Sequence, residues 1–260
     1  MKYLQFAILL LTYGTIFGQS EHSTNYLFKE CLENALGFRV EPKTIQKFVG
    51  SDFPLFLDDG KAVVTIIVQD CSQYWVDGVN LGTNQHAHVW VRLEAENEIL
   101  PVIGAEKTLP TMTWFSLSAA STNPRDYEAR KKSLTSPENI ENITLEISGD
   151  NRGGKVVYSD ELSYSWKVSS EKSDSGLPSA IDSASIVGIN HIVYQKSHNG
   201  KIVIKRIQAI ANISGPYKGI LNVSGGTDPS KLIVGGDYPI LVYSFSPIWA
   251  RVNLGETPKD

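Results

Sequence analysis

His86 and His88 stand two apart in NQHAHVWVRLE, residues 84–94, and Lys131 and Lys132 stand side by side in RDYEARKKS. Each pair admits a definite chemistry. Two histidines on one face of a strand can share a metal ion, move protons or hydrogen-bond a ligand. Two adjacent lysines can supply an amine nucleophile, because a neighbouring cation and an apolar pocket both favour the neutral amine. The plainer reading of the lysines is solvated charge in the last turn of a helix, where the dipole favours cations.

A metal on His86 and His88 needs a third ligand. Glu94 has the right parity, but six residues of extended strand put it ~20 Å from His88. Against the cupin pattern, the Glu comes late, the glycine is displaced and no second P-x-G motif follows. His191 or His198 would have to complete such a site from afar. No metal is expected, and a cupin-like enzyme is the weaker alternative. The faces of the strand say more. Ala87, Val89, Val91 and Leu93 make one apolar face, and His86, His88, Trp90 and Arg92 make the other. That second face either meets solvent or walls a cavity where a ligand stacks on Trp90 and hydrogen-bonds, with Gln85 and Arg92 as further contacts.

The elements that must hold these residues are mostly strands. The spacing of Leu27, Phe28, Cys31, Leu32, Ala35 and Leu36 predicts a one-sided helix in TNYLFKECLENAL. A second helix is expected in EPKTIQKFV, with Pro42 in its first turn, and a third in STNPRDYEARKKSL, capped by Asn123. Strands are expected in KAVVTIIVQD, AHVWVRLE, TMTWFSLSA, NITLEIS, KVVYS, LSYSWKV, ASIVGINHIVY, KIVIKRIQAI, GILNVS and PILVYSF. Asn199-Gly200 predicts a hairpin between the two runs around it. The polar stretch from Ser169 to Ser179 is the one candidate linker. Strands on both sides of it point to a single domain.

The chain has 260 residues, 42% hydrophobic, with a net charge of -4. That suits a globular core and leaves no basic footprint for nucleic acid. Residues 1–18 read as a secretory signal peptide, with residues 19–260 as the mature domain. The apolar run is too short for a good membrane span, so no membrane attachment is expected after cleavage. Secretion, or a periplasmic location in a bacterium, favours a disulfide between Cys31 and Cys71. It also makes Asn142, Asn212 and Asn222, each in an N-x-[ST] triplet, candidate glycosylation sites. There is no G-x-S-x-G elbow, P-loop, Rossmann fingerprint or H-E-x-x-H motif.

Three stretches resemble the acetoacetate decarboxylase superfamily. FRVEPKTIQKFV resembles its early aromatic-Arg segment and short helix, and Arg39 matches its carboxylate-binding arginine. RDYEARKK resembles its Arg-Glu…Pro-Lys-Lys motif, so Lys131 matches the Schiff-base lysine and Lys132 its cationic neighbour. ISGPYKGILNVSGGTDPSKLIVGGDYPILVYSF resembles its closing segment. The resemblance implies a β-rich α+β domain: an antiparallel sheet in a cone-like barrel around a cavity, with a few short helices. It also implies frequent oligomers, no metal and no diffusible cofactor. Two departures stand out. Arg130 replaces the proline before the lysines, and Gln85, His86 and His88 occupy the region where the family carries glutamates.

Two functions are expected, with a third beside them. One is a secreted Schiff-base enzyme (a decarboxylase-like lyase) acting on a small oxo acid or related carbonyl compound. In it Lys131 is nucleophile, Lys132 tunes it, Arg39 holds a carboxylate, and His86 or His88 moves protons. The second is a cavity protein that binds a small carbonyl or apolar ligand without catalysis. The third is a secreted interaction or structural β protein with no small-molecule site.

Overall fold

The computed structural model describes residues 24–94, 99–132, 138–139, 142–148, 151–159, 162–172, 186–197, 200–225 and 236–255. The signal peptide expected over residues 1–18 lies outside them. In chain order the elements are β1 (Thr24–Val40), α1 (Pro42–Val49), β2 (Leu57–Asp58), β3 (Lys61–Val76), β4 (Val79–Arg92), β5 (Lys107–Thr108) and β6 (Met112–Ser121). After these come α2 (Pro124–Lys132), β7 (Glu138–Asn139), β8 (Asn142–Ser148), β9 (Asn151–Ser159), β10 (Leu162–Lys172), β11 (Ile186–Lys196), β12 (Ile202–Gly225) and β13 (Gly236–Gly255).

Seven of these strands close into a ring. Hydrogen-bonded neighbours run β1, β3, β4, β6, β11, β12, β13 and back to β1. Every pair in the ring is antiparallel except β6 with β11, which is parallel. The sheet expected to be antiparallel is therefore mixed: the ring has one parallel seam, and the two-residue strands β5 and β7 also pair in parallel, with β11 and β6. The physical reason is that a long stretch of chain separates β6 from β11, and no hairpin dictates their direction. β12 and β13 run on past the ring, and β10, β9 and β8 add to β12 in turn as a wing.

The ring strands are buried on both faces, which is why several read as near-continuous apolar runs. Outside the ring, Leu36, Val64, Val89 and Val91 pack with Trp166, Leu221 and Val242 of the wing. Inside it, Phe28, Tyr74, Ile189, Ala209 and Ile213 form one cluster, and Trp90, Trp114 and Val193 a second.

Three expectations about elements need correction. TNYLFKECLENAL is the greater part of β1, not a helix. At Glu30 the backbone takes φ 51°, and the inward row changes from Tyr26 and Phe28 to Cys31, Glu33 and Ala35. That switch puts inward residues three apart and imitates a helical period. KIVIKRIQAI and GILNVS belong to one strand, β12, which crosses Gly215-Pro216 with a register shift. Of the candidate linker, residues 169–172 close β10, and the remainder lies outside the described residues.

The two other expected helices form. Pro42 opens α1, which buries Ile45 and Val49. Asn123 Oδ1 accepts the Arg125 N–H at 3.0 Å, and its amide donates to the carbonyls of Leu81 and Thr83, tying the start of α2 to β4. Cys31 and Cys71 are register partners on β1 and β3 and form the expected disulfide. Among the described residues, no helix is long and apolar enough to cross a membrane.

Candidate functional site

The inward faces of β1, β3, β4, β11, β12 and β13 enclose a cavity of about 100 Å³. Its polar lining is Glu33, Gln69, His88, Trp90, His191 and Lys205, and Phe28, Ile67, Ile189, Ile207 and Phe245 supply much of the rest. An apolar chamber with a few convergent polar groups is the usual form of a small-ligand site.

β4 builds one wall through its alternation. Ala87, Val89 and Val91 go to the outer core, so His86, His88, Trp90 and Arg92 go to the ring interior. The rings form a ladder, His86 stacked on His88 at 5.7 Å and His88 tilted against Trp90 at 5.7 Å. His88 and Trp90 line the cavity itself. Trp90 is 6% exposed, and its Nε1 is buried with no hydrogen-bond partner.

His86 lies behind His88, fully buried against Phe28 and Tyr74. Its Nδ1 is 3.6 Å from Oδ2 of Asp126, whose other oxygen accepts the Tyr74 hydroxyl. α2 delivers Asp126, so the helix is docked through a buried carboxylate. Arg92 sits half-buried over Phe56 and Trp114, outside the cavity lining. Burial lowers its pKa, offset in part by Tyr243 and Asp58. Gln85 faces away from the cavity and donates to Asp70.

Opposite walls carry His191, which the sequence offered only as a distant metal ligand, and two groups that it did not single out, Glu33 and Lys205. Trp114 Nε1 donates to His191 Nδ1 at 3.2 Å, so the imidazole proton sits on Nε2. Burial, helped by the charge of Arg92, pushes the His191 pKa down to about 4, against a smaller upward pull from a backbone hydrogen bond at Asn190. His191 is neutral at physiological pH. Glu33 accepts from Gln69 Nε2 at 3.0 Å, and burial pushes its carboxyl up to about 7. Lys205 is 7% exposed, on the same face of β12 as Ile207 and Ala209.

Arg39 is not brought to this cavity. It is exposed at the end of β1 and ion-paired with Asp58 at 2.7 Å. Lys131 and Lys132 end α2, and their side chains lie outside the described residues, as does His198. Asn212 and Asn222 are exposed on β12, while the side chain of Asn142 is outside the described set. Among the described residues, no three His, Cys, Asp or Glu gather as a metal site.

Lys205 and Glu33 carried different signals. In KIVIKRIQAI, Lys205 shares parity with Val203, Ile207 and Ala209, a lysine in an apolar row. That pattern was readable. Glu33 was hidden, because a helix in TNYLFKECLENAL places it on the polar side.

No family model matches the chain, and no curated protein matches it in sequence. Solved structures do match. An acetoacetate decarboxylase-like enzyme from Sphingomonas wittichii RW1 superposes with TM-score 0.50 at 8% identity, covering 91% of this chain and 92% of that one. The acetoacetate decarboxylase of Legionella pneumophila gives 0.49 at 12% identity, over 87% and 86%. The enduracididine biosynthesis enzyme MppR, complexed with pyruvate, gives 0.48 at 11% identity, over 93% and 94%. The chain thus has an acetoacetate decarboxylase-like fold, as the sequence resemblance implied, and at these identities the likeness concerns the fold alone.

Proposed function

We propose that the ring cavity binds a small oxo acid or related carbonyl compound. The observation that carries this reading is Trp90, a buried wall residue whose indole N–H has no acceptor among the described residues. Leaving such a donor unsatisfied costs about 1–3 kcal/mol. A carbonyl or carboxylate oxygen in the cavity would recover it. The volume of about 100 Å³ suits a ligand of few heavy atoms, and the apolar walls suit its carbon skeleton. Calorimetry with pyruvate, the smallest 2-oxo acid, and with neutral 2-butanone tests the reading. Saturable binding that weakens about tenfold in Trp90→Phe is expected, the equivalent of one lost hydrogen bond. Absence of binding by both compounds sinks it.

A Schiff-base enzyme is the second reading, favoured by the lysine in the cavity wall. The Lys205 nitrogen would attack the carbonyl carbon, water would leave and an imine would form, with His88 placed to move protons. The α2 pair, Lys131 with Lys132, is the competing nucleophile. Borohydride reduction in the presence of acetoacetate, followed by peptide mass mapping, separates them. An adduct on Lys205 is expected. An adduct on Lys131 assigns the chemistry to α2, and no adduct leaves binding without catalysis. We also read the chain as secreted, supported by the disulfide and by exposed Asn212 and Asn222. Cleavage after Gly18 and a glycosidase-sensitive mass in eukaryotic secretory cells are expected. An intact leader with no mass shift refutes this.

A further inference from the structure

On the reading that the cavity takes a small oxo acid, on which all of this rests, a second carboxylate arrives beside Glu33. Among the described residues that line the cavity Glu33 is the one carboxyl, held from β1 by the amide of Gln69 on β3. The other titratable or charged groups facing that space are Tyr26 on β1, His88 on β4, His191 on β11 and Lys205 on β12. Those of β13 that line it, such as Phe245 and Val252, carry no charge. Behind His88 stand His86 and Asp126, and beside the Trp90–Trp114 pair stand Arg92 and Tyr243.

A ligand carboxylate has donors to meet here, the Trp90 N–H and the Lys205 amine. It must also share about 100 Å³ with Glu33. Lys205 can balance only one of two carboxylates in one small, mostly apolar space, so the pair keeps a proton. We propose that the cavity takes up a monocarboxylate together with one proton, and that Glu33 holds that proton. A protonated Glu33 is also a hydrogen-bond donor, so it can contact the oxyanion it would otherwise repel.

Two further facts favour this site for the proton. Burial has already pushed the Glu33 carboxyl up to about 7, and a further push of similar size from the ligand's charge holds the proton at pH 8. His191, pushed down to about 4 and accepting from Trp114, is poorly placed to take it. Below pH 7 Glu33 is already protonated and binding takes up little. Above pH 7 each bound carboxylate must draw a proton from solvent.

The test is calorimetric titration of the full chain with pyruvate in buffers of different ionisation enthalpy, which counts protons directly. About one proton per pyruvate is expected at pH 8 and close to none at pH 5.5. The dissociation constant should be flat below pH 7 and rise about tenfold per pH unit above it. Glu33→Gln should bind pyruvate with no uptake and no such slope. Neutral 2-butanone should bind without uptake in either protein. Pyruvate binding at pH 8 with no proton taken up overturns the proposal, and so does equal uptake in Glu33→Gln, which would move the proton to His88. Should that variant not fold, His88→Gln decides: uptake kept at pH 8 leaves the proton on Glu33, and uptake lost moves it to His88 and overturns the proposal. If 2-butanone binds and pyruvate does not, the cavity reading stands and proton uptake at Glu33 falls. If neither binds, both fall.

Discussion

Glu33 and His191 come from strands that do not pair, and burial acts on them in opposite senses. Burial disfavours the charged form of each, so the carboxyl rises from 4.5 to about 7 and the imidazole falls from 6.5 to about 4. Between pH 4.5 and 7 the unfolded chain releases the Glu33 proton first, so this group's contribution to stability falls as pH rises. Between pH 4 and 6.5 the unfolded chain takes a proton on His191 first, so that contribution rises with pH. Each slope is about 1.4 kcal/mol per pH unit, and over pH 4.5–6.5 the two oppose each other. Glu33→Gln removes one of them. Relative to wild type it should gain stability from pH 4.5 to 7, by up to about 3 kcal/mol. Urea unfolding at pH 4.5 and 7.5 measures this, and an equal difference at both would mean a solvated carboxyl. At this scale the sequence was legible where alternation survived. The face holding His88 and Trp90 was readable from β4. Glu33 was not, because its parity depends on the turn of the backbone at Glu30.

That turn also explains why the greater part of β1 reads as a helix. A strand that stays in register with β3 while its inward row shifts by one presents apolar residues on both faces. Leu36 goes to the outer core, and Cys31 and Ala35 go inward. No period drawn from such a segment identifies a strand, because packing on two sides replaces the usual alternation. By contrast, α1, α2 and the β11–β12 hairpin were legible, since Pro42, Asn123 and Gly200 act locally. Beside the shift, Cys31 and Cys71 clamp β1 to β3 across a separation of 40 residues. Loop entropy for a closure of that length gives about 4 kcal/mol, within the usual ~2–5 for native disulfides. A Cys31→Ser, Cys71→Ser double variant should therefore unfold several degrees lower, at roughly 2–4 °C per kcal/mol for a chain of this size. Scanning calorimetry with and without reductant checks it. A wild type insensitive to reductant and a double variant with unchanged Tm would show that the clamp adds nothing to the strand pairing.

At the scale of the whole molecule, the ring is a wall between two interiors. The outer face is filled by the wing, with Trp166, Leu221 and Val242 against Leu36 and Val64. The inner face is left about 100 Å³ short of filled. At about 24 cal/mol per Å³, filling a space of that size with side chain would add at most roughly 2.4 kcal/mol of packing. A protein with no use for the space could recover that with one larger side chain. Ala209 is the position to ask, because it lines the cavity, is 6% exposed and lies on a strand paired on both sides. Ala209→Leu should raise the Tm by a few degrees and abolish the stabilisation given by pyruvate, which for the wild type is about 2.7 kcal/mol at a hundred times Kd. A loss of ligand response with a gain in stability is the signature of space kept for binding. A higher Tm with the pyruvate response intact would place the ligand somewhere other than the ring.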